Sequence, residues 1–344
     1  MKKLSVIIPV YNAEQYLEEC LNSVIGQTMP VSEMEILAVD DCSTDHSLEI
    51  LKAYEKKYPD KFHAVHSEKN HHQGGAKNIA LRMAKGDWIG FIDADDWIVP
   101  DYYERMLGKA KETGADIVGC DYTLVHEHTF QVSDEIVANS RVDQVGDLTH
   151  ESKKSLIMDG GSLCVKIFRR KTIIDNELFF PEDIFYEDNA MSNSYLLLAK
   201  RFAYIQEPLY FYYQHGDSTV HTFSETRCND RLEAGRIMMK EAKRLGFLEE
   251  FQKEIEYKFT LLFYINTLFT YMPCVRPVKV SYVKAMTEEM LQTWPAFREN
   301  PYYMERTAAE EKKLIDMACD SALKFVIYYK LLWGYRKLRK KLRK

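Results

Sequence analysis

Apolar residues in the first third of the chain come in two textures. Short unbroken runs rich in β-branched residues alternate with stretches where apolar side chains recur every three or four positions. Leu4 to Val10 is such a run and predicts a buried strand. From Ala13 to Ile25, the residues Tyr16, Leu17, Cys20, Leu21 and Val24 share one helical face. Glu35 to Val39, Phe62 to His66, Asp87 to Ile92 and Asp116 to Asp121 predict further strands, with helices over Ser47 to Lys57, Gly74 to Lys85 and Tyr102 to Thr113. Short buried strands alternating with helices predict an α/β domain with a mostly parallel, Rossmann-like sheet. In such sheets ligands lie beyond the carboxyl ends of the strands. The polar clusters Asp40-Asp41-Cys42-Ser43 and Asp93-Ala94-Asp95-Asp96 fall at two such ends.

The texture changes further on. Long helical patterns run over Arg231 to Leu245, Leu248 to Tyr271, Val278 to Met290 and Ala308 to Tyr329. They predict a first domain over 1–225 and a helical region over 226–344. The last fifteen positions hold eight Lys or Arg and no acid, and removing them takes the net charge from -6 to -14. Phe325 to Trp333, rich in aliphatic and aromatic residues, leads into this basic end. That combination suits the interface of an anionic membrane, with residues 324–344 as the docking segment.

Composition narrows the class. Of 344 residues, 46% are hydrophobic and 28% charged, which excludes a disordered or collagen-like chain. The net charge of -6 argues against a nucleic-acid binder. Seven scattered cysteines without a Cys-x-x-Cys pair suit a reducing compartment. The apolar run before Pro9 is too short for a signal-peptide core, and no stretch reaches the roughly 18 apolar residues of a spanning helix. A cytoplasmic location, peripheral at the inner face of the cell membrane, is the expectation.

The acidic clusters carry the candidate chemistry. Asp93 and Asp95, two apart on a turning strand end, suit one hard cation such as Mg2+ or Mn2+, although acids at strand ends are also common turn formers. The Asp40-Asp41 pair strengthens the cation reading, since two acidic pairs at the tips of separate parallel strands repel without a ligand. A carboxylate there also suits a uracil N–H, and Ser43, Thr44 or Asp45 suits a helix cap. Gly74-Gly75-Ala76-Lys77-Asn78 opens a helix and suits an anion, or a plain loop junction. In Glu187-Asp188 a carboxylate suits a general base with aromatic walls raising its pKa, or a helix-dipole pair. His215 suits a metal or phosphate ligand, or a structural role. His71-His72 and His126-Glu127-His128 read as solvated surface.

Together, and in this order over about residues 3–220, these motifs resemble the family 2 glycosyltransferases of GT-A fold. Ser5-Val6-Ile7-Ile8-Pro9-Val10-Tyr11-Asn12 is similar to the family's opening strand. Asp40-Asp41-Cys42-Ser43-Thr44-Asp45 is similar to its Asp-Asp-Gly-Ser-Thr-Asp element, Asp93-Ala94-Asp95 to its Asp-x-Asp and Glu187-Asp188 to its base motif. The resemblance implies an inverting, metal-dependent transferase. It would move a sugar from a nucleotide-sugar donor, a UDP-sugar by expectation, to a glycan or lipid-linked saccharide of the cell surface. Pro9, Tyr11 and Glu14 would line the nucleotide pocket, Asp41 would meet the uracil and Asp93 the ribose. Lys77 would meet the donor, Asp95 and His215 the Mn2+ or Mg2+, and Asp188 the acceptor hydroxyl. Cys42 stands where Gly is usual, and Lys77 where Arg is common. Two rival readings are a haloacid-dehalogenase-type phosphatase using Asp93 and Asp95, and a non-catalytic nucleotide-sugar-binding scaffold. Asp96-Trp97 in place of the phosphatase's Thr position argues against the first, and Asp188 against the second.

Overall fold

A computed structural model describes residues 2–216 and 223–342. Asp217, Ser218 and Thr219, which follow His215, lie outside the described residues, as do the last two positions of the basic end. The chain divides into two units, residues 1–218 and 219–344.

The first unit is built on one mixed sheet. Its strands are β1 (Leu4–Val10), β2 (Met34–Asp40), β3 (Phe62–His66), β4 (Trp88–Phe91), β5 (Trp97–Ile98), β6 (Ile117–Val125), β7 (Ile136–Val137), β8 (Gly146–Asp147), β9 (Lys166–Arg169) and β10 (Arg201–Tyr213). They run in the order β3-β2-β1-β4-β9-β6-β10-β5, with β7 on β6 and β8 on β10. The longer ladders are parallel: β1 with β2 and β4, β2 with β3, and β6 with β10. β9 is inserted antiparallel to both β4 and β6. All seven residues of β1 and of β2 are buried, so these strands read as continuous apolar runs rather than alternating ones.

The helices of this unit are α1 (Leu17–Ile25), α2 (Ser47–Lys57), α3 (His72–Met83), α4 (Tyr102–Thr113), α5 (His150–Asp159), α6 (Arg170–Asp175) and α7 (Glu187–Leu197). α1 starts four residues later than its apolar spacing predicts. Residues 13–16 form a turn instead, in which the Tyr16 and Leu17 N–H groups both bond to the Ala13 carbonyl. α3 starts at His72, two residues before the glycine pair.

Chain order 3-2-1-4 reverses direction between β1 and β4, so a crevice opens at their carboxyl ends. Asn12 N–H donates to Ser43 Oγ (3.0 Å) and Ala13 N–H to Ser47 Oγ (2.9 Å), which ties the β1–α1 loop to the β2–α2 loop.

The second unit is helical: α8 (Glu225–Arg244), α9 (Phe247–Glu250), α10 (Gln252–Phe259), α11 (Asn266–Cys274), α12 (Val280–Thr293), α13 (Pro301–Arg306), α14 (Ala309–Asp320) and α15 (Ala322–Leu342). Phe251, Ile255, Phe263, Tyr264, Leu268, Met290, Phe297, Ile315 and Phe325 are fully buried and form its core. Two predicted helices are interrupted. Leu248 to Tyr271 breaks at Phe251 and widens into a π-helical turn over Thr260–Ile265. Ala308 to Tyr329 breaks at Ser321, whose backbone is extended.

Candidate active site

β1 ends in Pro9 and Val10, both buried, and the chain turns out at Tyr11, which is 51% exposed at the rim. Glu14, expected in the nucleotide pocket, has its carboxylate engaged. Its Oε2 accepts the His46 N–H (2.9 Å), while its own N–H donates to Asp45 Oδ2 (3.0 Å). It holds the loop that forms the pocket wall.

Asp41 follows β2 and is buried. Its Oδ1 accepts the His71 N–H (2.9 Å), and its Oδ2 is buried without a hydrogen-bond partner. Burial pushes its pKa up, against the lowering effect of the His71 N–H. A buried acceptor left unpaired is costly unless a ligand donor reaches it. Cys42 takes the left-handed conformation (φ 62°), which glycine adopts without strain and which a side chain resists. His71, read from sequence as solvated surface, is therefore part of this wall. Its ring Nδ1 also meets Asp183 Oδ1 at 3.1 Å.

The Asp93-Ala94-Asp95-Asp96 run follows β4, and its three acids have three environments. Asp93 Oδ2 accepts the Cys164 thiol (3.3 Å), and its Oδ1 is buried and unpartnered. Burial pushes its pKa up to about 6, with the Lys77 ammonium pulling the other way. Asp95 is partly exposed, and its Oδ2 lies 2.9 Å from His215 Nε2. His215 sits just past β10, 9% exposed in its side chain, with its ring between Tyr16 (4.3 Å) and Tyr213 (5.2 Å). Its Nδ1 is buried without a partner. Asp96 is fully buried and serves the scaffold: Oδ2 accepts the Tyr210 hydroxyl (2.5 Å) and Oδ1 the Tyr213 N–H (2.9 Å). It anchors the end of β10 and so delivers His215 to Asp95.

Lys77 has a different partner from the donor expected for it. Its Nζ donates to Glu187 Oε1 (2.7 Å), with the two side chains 4% and 7% exposed. Burial alone would lower its pKa, but the fields of Glu187, Cys164, Asp93 and Asp188 together outweigh that and hold the ammonium charged. The fields of Asp93 and Asp188 reach the same ammonium, which places both near it. Asn78 clamps the following loop: its Oδ1 accepts the Phe180 N–H (2.9 Å) and its Nδ2 donates to the Phe180 carbonyl (2.8 Å). The glycine pair serves close packing here rather than an anion cradle. A Cβ on Gly74 would lie 2.0 Å from the Pro181 carbonyl oxygen, and one on Gly75 2.2 Å from His71 Cβ.

Glu187 and Asp188 open α7, behind Tyr186 in the left-handed region (φ 67°). Asp188 is exposed, so the burial between aromatic walls expected from the sequence is not what the structure shows. Its Oδ1 accepts the Asn189 N–H and side-chain N–H, both at 2.7 Å. The neighbouring Phe185 packs on the His72 ring at 4.4 Å.

The structure thus gathers residues from 9 to 215 at one rim. Sequence reasoning missed Cys164, Asn78 and the scaffold role of Asp96. Their partners lie 71 to 117 residues away in the chain, and no local pattern signals such a contact. The residues fit a divalent cation. Asp95 and His215 offer an oxygen and a nitrogen side by side, and Asp93 Oδ1 lies buried and unpaired. Among the described residues no three His, Cys, Asp or Glu side chains form a closed cage.

The sequence pattern of glycosyl transferase family 2 matches residues 5–172. Over 262 residues the chain is 33% identical to the glycosyltransferase EpsH of Bacillus subtilis, covering 74% of this chain and 73% of that one. It is 33% identical over 211 residues to the poly(ribitol-phosphate) beta-glucosyltransferase of Bacillus spizizenii, covering 61% of this chain but 32% of that enzyme. Among solved structures, S. aureus TarS 1-349 in complex with UDP has a TM-score of 0.70 at 23% identity, covering 97% of this chain and 91% of that one. Mannosyltransferase PcManGT from Pyrobaculum calidifontis, in complex with GDP-Man and Mn2+, has a TM-score of 0.52 at 16% identity, covering 96% and 87%. The architecture is that of the GT-A enzymes. The chain belongs to glycosyl transferase family 2 and is a glycosyltransferase. Neither the phosphatase nor the binding-scaffold reading is favoured by this membership.

Proposed function

We propose that the first unit binds a nucleotide-sugar, with UDP as its nucleotide, and passes the sugar with inversion to an acceptor hydroxyl. The observation that carries this reading is the meeting of Asp95 and His215, 120 residues apart in sequence, beside Asp93, whose Oδ1 is buried and unpaired. The domain reading follows: residues up to about 225 form the catalytic part, and residues 226–344 a helical region.

Asp41 Oδ2 is an acceptor held ready for the imide N–H of uracil. Tyr11 and Pro9 offer ring and wall to the base, with Glu14 fixing the loop. Asp93 faces the ribose, its second oxygen held by Cys164. Asp95 and His215 would hold the divalent cation, Mn2+ or Mg2+, which when bound offsets the charge growing on the leaving diphosphate. Lys77 adds positive field to the same region while pinning Glu187. Asp188, exposed at the start of α7, takes the proton from the acceptor hydroxyl as that oxygen attacks. A single displacement inverts the anomeric centre. TarS binds UDP and UDP-GlcNAc in its crystals, and PcManGT holds GDP-Man with Mn2+. Two relatives are a poly(ribitol-phosphate) beta-glucosyltransferase and a poly(ribitol-phosphate) beta-N-acetylglucosaminyltransferase. These relatives support a nucleotide-sugar donor and a glycan acceptor; we extend this to a cell-surface polysaccharide or lipid-linked saccharide at the cytoplasmic face.

The test is sugar release and transfer from UDP-, GDP- and dTDP-sugars, with and without Mn2+. Activity is expected with a UDP-sugar, lost on chelation and restored by Mn2+. Asp95→Ala and His215→Ala are expected to lower turnover by roughly 100-fold or more, and Asp188→Asn by a similar factor. Full turnover in any of the three variants overturns the role assigned to that residue.

A further inference from the structure

α15 is apolar on two opposite sides. Ala322, Phe325, Val326 and Tyr329 are buried and pack into the helical unit. Leu323, Ile327, Leu331, Tyr335 and Leu338 recur about once per turn and are all exposed, between 52% and 69%. At 3.6 residues per turn this second row lies on the side of the helix away from the core. A packed helix needs one apolar stripe, and a second on its solvent side calls for a covering surface.

Charge identifies the surface. Lys324, Lys330 and Arg339 are exposed along the same helix, and Arg336 reaches back to Glu310. α15 contains no acidic residue, and the last fifteen positions of the sequence hold eight Lys or Arg. A two-fold contact between copies would set these cations against each other. An anionic phospholipid surface offers them counter-charges and takes the apolar row into its acyl boundary. Among the described residues no helix is long and apolar enough to cross a membrane, so the contact lies in the plane of the interface.

We propose that the outward row of α15 docks the protein on anionic phospholipid. The inference stands apart from the donor chemistry, because it uses only α15.

The test is flotation of the full chain with vesicles of phosphatidylcholine alone and with added phosphatidylglycerol. Binding is expected on the anionic vesicles, roughly 100-fold or more weaker on the neutral ones at low salt, and falling as salt shortens the reach of charge. Ile327→Ser with Leu331→Ser is expected to weaken it by roughly tenfold. Lys324→Gln, Lys330→Gln and Arg339→Gln together keep the apolar row and serve as a second variant. Each lost cation should cost roughly fivefold at low salt. Unchanged binding in both variants, equal binding to the two vesicle types, or no binding to either overturns the proposal. So does a wild-type oligomer that ignores vesicles and falls apart in the Ile327→Ser, Leu331→Ser protein, since the row then belongs to a second copy. Turnover of soluble donor by the same variants is expected to stay at wild-type level, so failure of the docking and failure of the transferase reading are read separately.

Discussion

An amide in place of the Asp41 carboxyl would set an N–H where the buried Oδ2 now lies without a partner. Oδ1 would keep its bond to the His71 N–H, so the wall would stand while the free acceptor became a donor. Asp41→Asn is therefore expected to raise KM for a UDP-sugar by roughly 10- to 100-fold with little change in kcat, since an unmet polar group costs about 1–3 kcal/mol. Steady-state kinetics at saturating Mn2+ check this, and an unchanged KM would remove Asp41 from the base pocket. Asp96 makes the contrasting case. It stands beside Asp95 in sequence, yet both its oxygens are spent on β10. A string of acids shows that carboxylates gather at a strand tip. It does not show which one the scaffold has already claimed.

The junction of α3 with α7 carries the next expectation. Gly74 leaves no room for a methyl group beside the Pro181 carbonyl and Glu187 Cβ. Gly74→Ala is expected to cost about 1–3 kcal/mol and to lower turnover, because the loop that carries Glu187 and Asp188 must move. Gly108→Ala in α4 meets nothing within 4 Å and should leave melting unchanged or slightly raised. Thermal melts and turnover of the pair separate a packing role for Gly74 from a general dislike of added methyls. Much at this scale was legible in advance. The ends of β1, β3, α2 and α4 match their local signals, because buried β-branched runs and helical spacing are properties of the segment itself. β9 was not legible: four residues inserted antiparallel between β4 and β6 are defined by their neighbours. Nor was β10, since its thirteen residues pair with β6, β8 and β5 across long gaps. The break at Phe251, the π turn after Phe259 and the break at Ser321 also escaped the helical spacing, which continues across them.

For the whole molecule the buried Lys166 sets a dependence on pH. It is fully buried on β9, where its Nζ donates to the Gly160 and Ser162 carbonyls, both at 2.7 Å. Burial pulls its pKa down to about 7, from an ordinary value of about 10.4 in the unfolded chain. Between those values the unfolded chain holds a proton that the folded one lacks, so this group adds stability as pH rises from about 7. The slope is at most about 1.4 kcal/mol per pH unit. Below pH 7 both states are protonated and its slope vanishes. Urea unfolding of wild type and Lys166→Met between pH 7 and 9 is expected to show a rise in the difference between the two. Taking the difference cancels the buried thiols Cys20 and Cys164, whose raised pKa values act in the opposite sense. A constant difference would mean that Lys166 stays charged in the fold. Elsewhere in the molecule, His215 arrives just past the last strand of the first unit, long after its partner Asp95 has been laid down. A nascent chain therefore cannot close the Asp95–His215 contact until residue 215 has left the ribosome, so the order of synthesis delays this pair to the end of the first unit.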